Sequence, residues 1–209
     1  MRPAPGTQGM LRLVLLRHGE AVGNRERRFL GLTDEPLTRA GELQAARTAR
    51  WIPPVEHLYV SPMLRCRQTA GLVWPGVEQT VVSGLRETDF GPFEGKNHGE
   101  LEADGRYQRW LRDPEDPELA ALLESPRAAA QRAGRALTEA LDDALARRYL
   151  QVGVVSHGGT LMSLLAEYGR PVRPYYDWNM ENCGGYLVRW DGLTGLLQVE
   201  RTLGPDRLN

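Results

Sequence analysis

The chain has 209 residues, enough for one globular domain with a full core, and we expect a single domain over residues 1–209. A composition of 41% hydrophobic and 25% charged residues excludes a disordered or fibrous chain. The formal net charge of −1 argues against nucleic acid or an anionic membrane as partner, because such binding needs a concentrated basic surface. An anionic partner must therefore be bound locally, and nothing in the sequence predicts an oligomeric state.

The cysteines and the first residues indicate the cellular compartment. Cys66 and Cys183 are the two cysteines, too few for a disulfide scaffold, and we interpret both as reduced. The segment "MRPAPGTQGM" has Pro and Gly where a signal peptide needs an apolar run. We expect a loose tail over residues 1–10 and a cytoplasmic protein.

Strand and helix patterns alternate through the first part of the chain. A continuous apolar run from Leu11 predicts a strand that is covered on both faces. Thr38 is expected to cap a helix that Pro53 stops. "HLYV" predicts the next strand, after which Ser61 and Pro62 are typical of a helix start.

The middle of the chain is less regular. "TVV" at 80–82 predicts a third strand, and the polar, Gly- and Pro-rich stretch that follows predicts short helices around Leu101 and Leu119. Long excursions of this kind are lids or binding loops as often as plain surface loops, and we assign residues 96–126 to a lid or insertion.

In the last third of the chain, helix and strand patterns alternate again. An Ala- and Leu-rich helix is predicted over 127–149, followed by a strand, a glycine turn and another helix within "QVGVVSHGGTLMSLLAEYG". Two strands joined around Asp191 and Gly192 end the chain, and we expect them at the sheet edge. The pattern predicts an α/β fold with a mostly parallel sheet.

Polar residues with unusual chemistry stand at or just beyond the ends of the predicted strands, where open α/β sheets bind ligands. These residues are Arg17, His18, Arg65, Glu87 and His157. Two imidazoles, two guanidiniums and one carboxylate around one pocket would form an anion site with acid–base capacity.

A phosphoryl group fits this set closely. Helix starts after Gly19, Ser61 and Gly158 would point backbone N–H groups at its oxygens. We expect His18 to attack phosphorus through a neutral ring nitrogen and Glu87 to protonate the leaving oxygen and then activate water.

Four motifs in order, "LRHGE", "SPMLRCRQTA", "LRETDFGPFEG" and "SHGG", resemble the histidine phosphatase superfamily, the phosphoglycerate mutase-like proteins. The resemblance runs from about Leu11 to the C-terminal strands. It implies a three-layer α/β/α sandwich with a mostly parallel central sheet and an antiparallel edge strand, and a reaction without metal or other cofactor. The site residues that it implies are a phosphohistidine at His18, phosphate ligands Arg17, Arg65 and His157, the proton donor Glu87, and the phosphate-pocket residue Asn24.

Departures from the mutase pattern favour a phosphatase. Cofactor-dependent phosphoglycerate mutases resemble this chain but carry Ser, Tyr, Lys and Asn where it has Leu30, Phe90, His98 and Gly159. A mutase must protect its phosphorylated intermediate from water, so the loss of anchoring groups favours water as acceptor.

Among phosphatases, "DEPLTRAGELQAA" and "LRETDFGPFEG" are most similar to the α-ribazole phosphatase and broad-specificity branches, although Met162 replaces an Arg of many such relatives. We predict a phosphomonoesterase acting on a small phosphorylated metabolite. The alternatives are phosphoglycerate mutase-type phosphoryl transfer and a non-catalytic phosphate-binding module.

Several other residues could take part in a site, but we expect them to have structural roles or to face solvent. Cys183 and Arg189 have the spacing of cysteine-dependent phosphatases, but the sequence between them predicts a strand and not a phosphate loop. His98 is expected to be exposed, and the cluster of Arg25, Arg27 and Arg28 to be a solvated face. The aromatic residues that could line a pocket are expected mostly to pack, namely Tyr107, Trp110, Tyr175 and Trp178.

Overall fold

A computed structural model describes residues 10–204 and contains one seven-stranded sheet with helices on both faces. The tail expected over residues 1–10 falls outside this range except for Met10, which begins the first strand. The strands are β1 Met10–Arg17, β2 His57–Val60, β3 Gln79–Val81, β4 Gln151–Ser156, β5 Gly169–Arg170, β6 Gly185–Asp191 and β7 Leu197–Leu203. The helices are α1 Val22–Arg25, α2 Arg39–Thr48, α3 Leu64–Val73, α4 His98–Leu101, α5 Gly105–Arg112, α6 Pro126–Ala146 and α7 Gly158–Tyr168.

The sheet has the order β3-β2-β4-β1-β6-β7-β5, and β1 to β4 run parallel to one another. The predicted α/β class with a mostly parallel sheet is confirmed. The antiparallel strand is β6, which pairs with both β1 and β7. It lies third from one edge instead of at the edge, because β7 and the two-residue β5 continue the sheet beyond it.

Two apolar layers hold the sheet between the helices. Alternate residues of β1 point to opposite faces, so Leu13 and Leu15 enter one core cluster while Val14 and Leu16 enter the other. The first cluster includes residues of α6 and α7, and the second includes residues of α2 and α3. This arrangement is the three-layer sandwich that the family resemblance implied, and β1 is covered on both faces as its apolar run predicted.

The start of α3 differs from the prediction. The helix begins at Leu64 with Met63 as its N-cap, and not at Ser61 and Pro62. The Ser61 hydroxyl lies 2.7 Å from Nε2 of His157, and the N–H of Leu64 donates instead to Asp34 at 2.6 Å. A contact with a distant strand end therefore overrides the local capping signal.

The segment 96–126 forms a small ordered layer of its own. It contains α4 near Leu101 as predicted, the unpredicted α5, and hydrogen-bonded turns where a helix was expected around Leu119. An apolar cluster that includes Phe93, Leu101 and Tyr107 holds these pieces together. No helix within residues 10–204 is long and apolar enough to cross a membrane.

Candidate active site

Strand register brings the two predicted histidines together. Arg17 at the end of β1 is paired with Ser156 at the end of β4. The residues that follow these two strands, His18 and His157, therefore lie at the same edge of the sheet. Their ring centroids lie 5.0 Å apart with an interplanar angle of 65°. Both side chains are buried, so the pairing of two parallel strands sets the relative position of two imidazoles that are 139 residues apart in the chain.

The His18 ring is held in one tautomer. Its Nδ1 lies 2.7 Å from the carbonyl oxygen of Gly19. A carbonyl can only accept a hydrogen bond, so Nδ1 carries the proton and Nε2 of the neutral ring keeps its lone pair. Burial, together with the charges of Arg65 and Arg17, holds the pKa of His18 well below its ordinary value of 6.5. His18 is therefore a neutral imidazole with one nucleophilic nitrogen at neutral pH.

His157 is held from the side of α3. The Ser61 hydroxyl is 2.7 Å from its Nε2, and the Cys66 thiol is 3.4 Å from the same nitrogen. Burial and the neighbouring His18 and Arg65 hold the pKa of His157 well below its ordinary range. Two neutral imidazoles thus lie side by side, and a bound anion would favour a proton on either of them.

The two guanidiniums are fixed by backbone carbonyls. Nη1 of Arg17 donates to the carbonyl of Met180 at 2.8 Å, and Gly158 packs so closely that an added Cβ would lie 3.3 Å from the Arg17 Nε. Arg65 is fully buried and donates to the carbonyls of Leu30, Gly31 and Thr33. Within residues 10–204, Nε of each guanidinium is buried without a hydrogen-bond partner. The Nε–H of each arginine therefore remains an unused donor in the neighbourhood of the histidines.

Glu94 holds the loop that holds Arg65. Its carboxylate accepts hydrogen bonds from the N–H groups of Gly31 and Thr33, at 3.0 Å to each in the shorter contacts. The same loop presents its carbonyls to Arg65, so a carboxylate and a guanidinium are connected through the backbone between them. Glu94 belongs to the "FEG" end of the third motif, but residue chemistry alone did not predict its role.

Glu87 lies over the N-terminus of α7. Its carboxylate accepts from the N–H groups of Gly159 at 3.1 Å and Thr160 at 2.8 Å, and from the Thr88 N–H at 2.8 Å. Gly159 allows this close contact, because a Cβ at that position would come within 2.8 Å of the Glu87 carboxylate and would force it to shift. The helix terminus thereby fixes the Glu87 carboxylate at the edge of the sheet where the histidines lie.

A partly buried ion pair positions the loop that carries Glu87. Arg132 of α6 makes two hydrogen bonds of 2.7 Å with Glu124, and its guanidinium also donates to the carbonyls of Gly84 and Arg86. Bidentate pairs of this kind fix geometry as well as charge. Arg132 lies in an Ala-rich helical segment that gave no sequence signal for this role.

A cavity of about 620 Å³ opens above these groups. Of the predicted site residues, those that line it are Arg17, His18, Asn24, Glu87 and Gly158. Arg65 and His157 do not line the cavity, since both are fully buried and His157 contacts the His18 ring. Oδ1 of Asn24 accepts from the Ala21 N–H, which leaves the side-chain amide nitrogen as a donor at the cavity wall.

Tyr107 and Trp110 pack in the apolar cluster of the 96–126 segment, as expected, and also form part of the cavity wall. Tyr107, Trp110 and Tyr175 line the cavity, whereas Trp178 is fully buried in the main core as expected. The positions of Tyr107 and Trp110 depend on the fold of the 96–126 segment, which has no periodic signal. His98 is exposed as predicted and contacts the Tyr107 hydroxyl at 3.1 Å.

The cysteine-phosphatase alternative is wrong. Cys183 is buried in a left-handed turn with φ of 59°, and burial raises the pKa of its thiol to about 12. Arg189 lies on β6, where it is exposed and pairs with Glu200 at 2.7 Å. Neither residue belongs to a phosphate-binding loop.

Comparison with known proteins connects this geometry to a family. The profile of the histidine phosphatase superfamily (branch 1) matches residues 13–200. A protein named probable phosphoglycerate mutase GpmB from Cronobacter sakazakii is 32% identical over 180 residues, which cover 83% of this chain and 82% of that protein. A wheat 2-carboxy-D-arabinitol-1-phosphatase is 31% identical over 121 residues, 54% of this chain but only 24% of the longer wheat protein.

The fold comparison agrees. The crystal structure of the α-ribazole phosphatase from Shigella flexneri superposes with a TM-score of 0.72 at 25% identity and covers 92% of this chain and 96% of that one. The family match spans the strands that carry both histidines, the Glu87 loop and α7. The chain belongs to branch 1 of the histidine phosphatase superfamily.

Proposed function

We propose that the protein hydrolyses the phosphate monoester of a small metabolite through a phosphohistidine at His18, without a metal ion. The observation that carries the proposal is the buried, neutral His18 ring, whose Nδ1 is occupied by the Gly19 carbonyl while two guanidinium charges act on it. A neutral nitrogen nucleophile in a cationic surrounding matches attack on an anionic phosphoryl group.

The first half-reaction transfers the phosphoryl group to the protein. Nε2 of His18 forms a bond to phosphorus as the bond between phosphorus and the ester oxygen breaks. Glu87 in its protonated form gives its proton to the departing alcohol oxygen, while Arg17 and Asn24, which line the cavity, stabilise the equatorial oxygens. Arg65 and His157 lie behind the cavity wall and act on the phosphoryl charge from beside His18.

The second half-reaction restores the protein. Glu87, now a carboxylate, takes a proton from water as the water oxygen bonds to phosphorus and the N–P bond breaks. The products are inorganic phosphate and free His18. The cations remain in place through both steps, and in this scheme they carry the charge-stabilising role that a metal ion has in other phosphatases.

Phosphoglycerate mutase activity is the second candidate, because a relative named as a mutase is 32% identical over most of its length. Gly159 favours hydrolysis, because the mutases carry Asn at this position and the glycine has no side chain beside Glu87 to anchor a phosphorylated intermediate. Interconversion of 2- and 3-phosphoglycerate in the presence of bisphosphoglycerate would identify a mutase.

Replacing His18 by Ala should abolish turnover of p-nitrophenyl phosphate, because the nucleophile is lost. The assay is release of nitrophenolate with excess chelator present throughout. Turnover that survives in His18→Ala, or that stops in the wild type when chelator is added, would contradict the mechanism. Equal inactivity of both proteins would favour the non-catalytic binding module.

Glu87→Gln should slow alkyl phosphates by roughly 10²-fold but aryl phosphates much less, because a good leaving group needs little protonation. Arg132→Met should show the same asymmetry with smaller losses, because Arg132 holds the backbone that leads into that residue. Arg135→Met, an exposed arginine one turn further along α6, is the matched control. Equal losses on both ester types would remove Glu87 from the role of donor.

His18 should remain neutral well below pH 6.5 when its ring resonances are followed by NMR, with His18→Gln used for assignment. The sign follows from the lowered pKa: the nucleophilic form is lost only as the pH falls through that lowered value. Arg17→Gln removes one neighbouring cation and should move the pKa of His18 upward. Titration of wild-type His18 at or above 6.5 would contradict this account of its environment.

A further inference from the structure

The cavity extends well beyond the groups that would handle a phosphate. Its volume of about 620 Å³ lies within the usual range for sites that enclose a whole small molecule, roughly 300–1,000 Å³. The reactive groups occupy one end, and the rest of the wall comes from the chain after α1, from the 96–126 segment and from α7 with the turn after β5. The part of the cavity away from the reactive groups must therefore hold the alcohol portion of the ester.

An aromatic cluster forms one wall. The Phe29 ring centroid lies 5.1 Å from that of Phe90 and 5.6 Å from that of Trp110, and Phe90 and Trp110 are 6.5 Å apart. The three rings pack edge to face or tilted, yet each residue remains partly exposed where it borders the cavity. The arrangement presents ring surfaces to whatever occupies the cavity.

Further apolar residues complete this part of the cavity. Leu111 comes from α5, Met162 from α7 and Tyr175 from the turn after β5. A flexible methionine and an aromatic ring are the side chains that accommodate a flat ring with little loss of packing. The occupant would therefore be in contact with apolar or aromatic groups over most of its surface.

Charge in this part of the cavity does not favour an anion. Among the described residues that line it, Arg28 is the one guanidinium apart from Arg17. Its charge is already matched, because Nε donates to Glu26 at 2.8 Å and Nη1 donates to Glu100 at 2.6 Å. Glu115 also lines the cavity and makes no ion pair within residues 10–204. A second anionic group on the substrate would find the Glu115 carboxylate and an arginine that is already paired with two other carboxylates.

We propose that the cavity selects phosphate esters whose alcohol portion is a flat, uncharged aromatic group, and that it discriminates against esters carrying a carboxylate. The proposal rests on the proposed function for the reacting end of the substrate. Trp110 is the central specificity residue, since it contacts Phe29 and Phe90 and borders the cavity itself. A carboxylate placed there would lose water without gaining a cationic partner.

Two esters of the same primary alcohol type separate recognition from leaving-group chemistry. One is 2-phenylethyl phosphate, and the other is its derivative with a carboxylate in the para position of the ring. We expect kcat/KM of the neutral ester to exceed that of the carboxylate ester by about tenfold or more, the cost of a partly desolvated carboxylate. Trp110→Ala should lower kcat/KM for the neutral ester about fivefold and reduce its advantage over the carboxylate ester.

A pair of surface substitutions tests the charge argument without disturbing the aromatic cluster. Leu111 and Leu122 are both exposed leucines of the 96–126 segment, but only Leu111 borders the cavity. Leu111→Arg should raise kcat/KM for the carboxylate ester about threefold, the size of a surface ion pair, and narrow the gap between the two esters. Leu122→Arg should leave the gap unchanged.

The outcomes distinguish this proposal from the proposed function. If the carboxylate ester reacts as well as the neutral one, or if the two leucine variants behave alike, the selectivity proposal fails while His18-dependent turnover of p-nitrophenyl phosphate still stands. If nothing is hydrolysed, calorimetric binding of the two matching non-hydrolysable phosphonates still decides the selectivity. Tighter binding of the neutral phosphonate supports the proposal, and equal or reversed affinities overturn it.

Discussion

The parallel pairing of β1 with β4 is the constraint on which the site depends. It sets Arg17 beside Ser156, and the next residue of each strand is an imidazole at a buried sheet end. Burial keeps both rings neutral, which a nucleophile at phosphorus requires and which a solvent-exposed histidine would not provide at mildly acidic pH. A change of register by one residue would send these side chains to the opposite faces of the sheet.

The charged groups around the histidines are held in position by hydrogen bonds to neighbouring loops and to the start of α7. Arg65 is held by loop carbonyls, and Glu94 holds that loop; Glu87 is held by the start of α7, and Arg132 holds the backbone of its loop. Burying guanidiniums costs free energy unless their donors are used, and here Arg65 donates to three backbone carbonyls and Arg17 to one. The remaining Nε donors of Arg17 and Arg65 are consistent with two groups prepared to meet an anion.

The sequence predicted the fold class and the main strands because apolar runs and helix periodicity are local signals. It also predicted the five groups around the proposed reaction centre, since each stands at or just beyond a strand end within a motif. Glu94 and Arg132 could not be assigned in this way. The contacts of Glu94 with Gly31 and of Arg132 with Gly84 join residues 63 and 48 positions apart, and no local pattern encodes them. The start of α3 and the aromatic wall were missed for the same reason: a tertiary contact of Ser61 and the fold of residues 96–126 decide them.

The central claim is that phosphate passes through a covalent bond to Nε2 of His18. The most direct measurement mixes the protein with a ³²P-labelled monoester, quenches within milliseconds in alkaline detergent, where N-linked phosphate survives, and maps the label by peptide mass spectrometry. We expect label on the peptide that contains His18, appearing before free phosphate and disappearing with its release. Label on another residue, or steady turnover with no labelled protein at any time, would contradict the account.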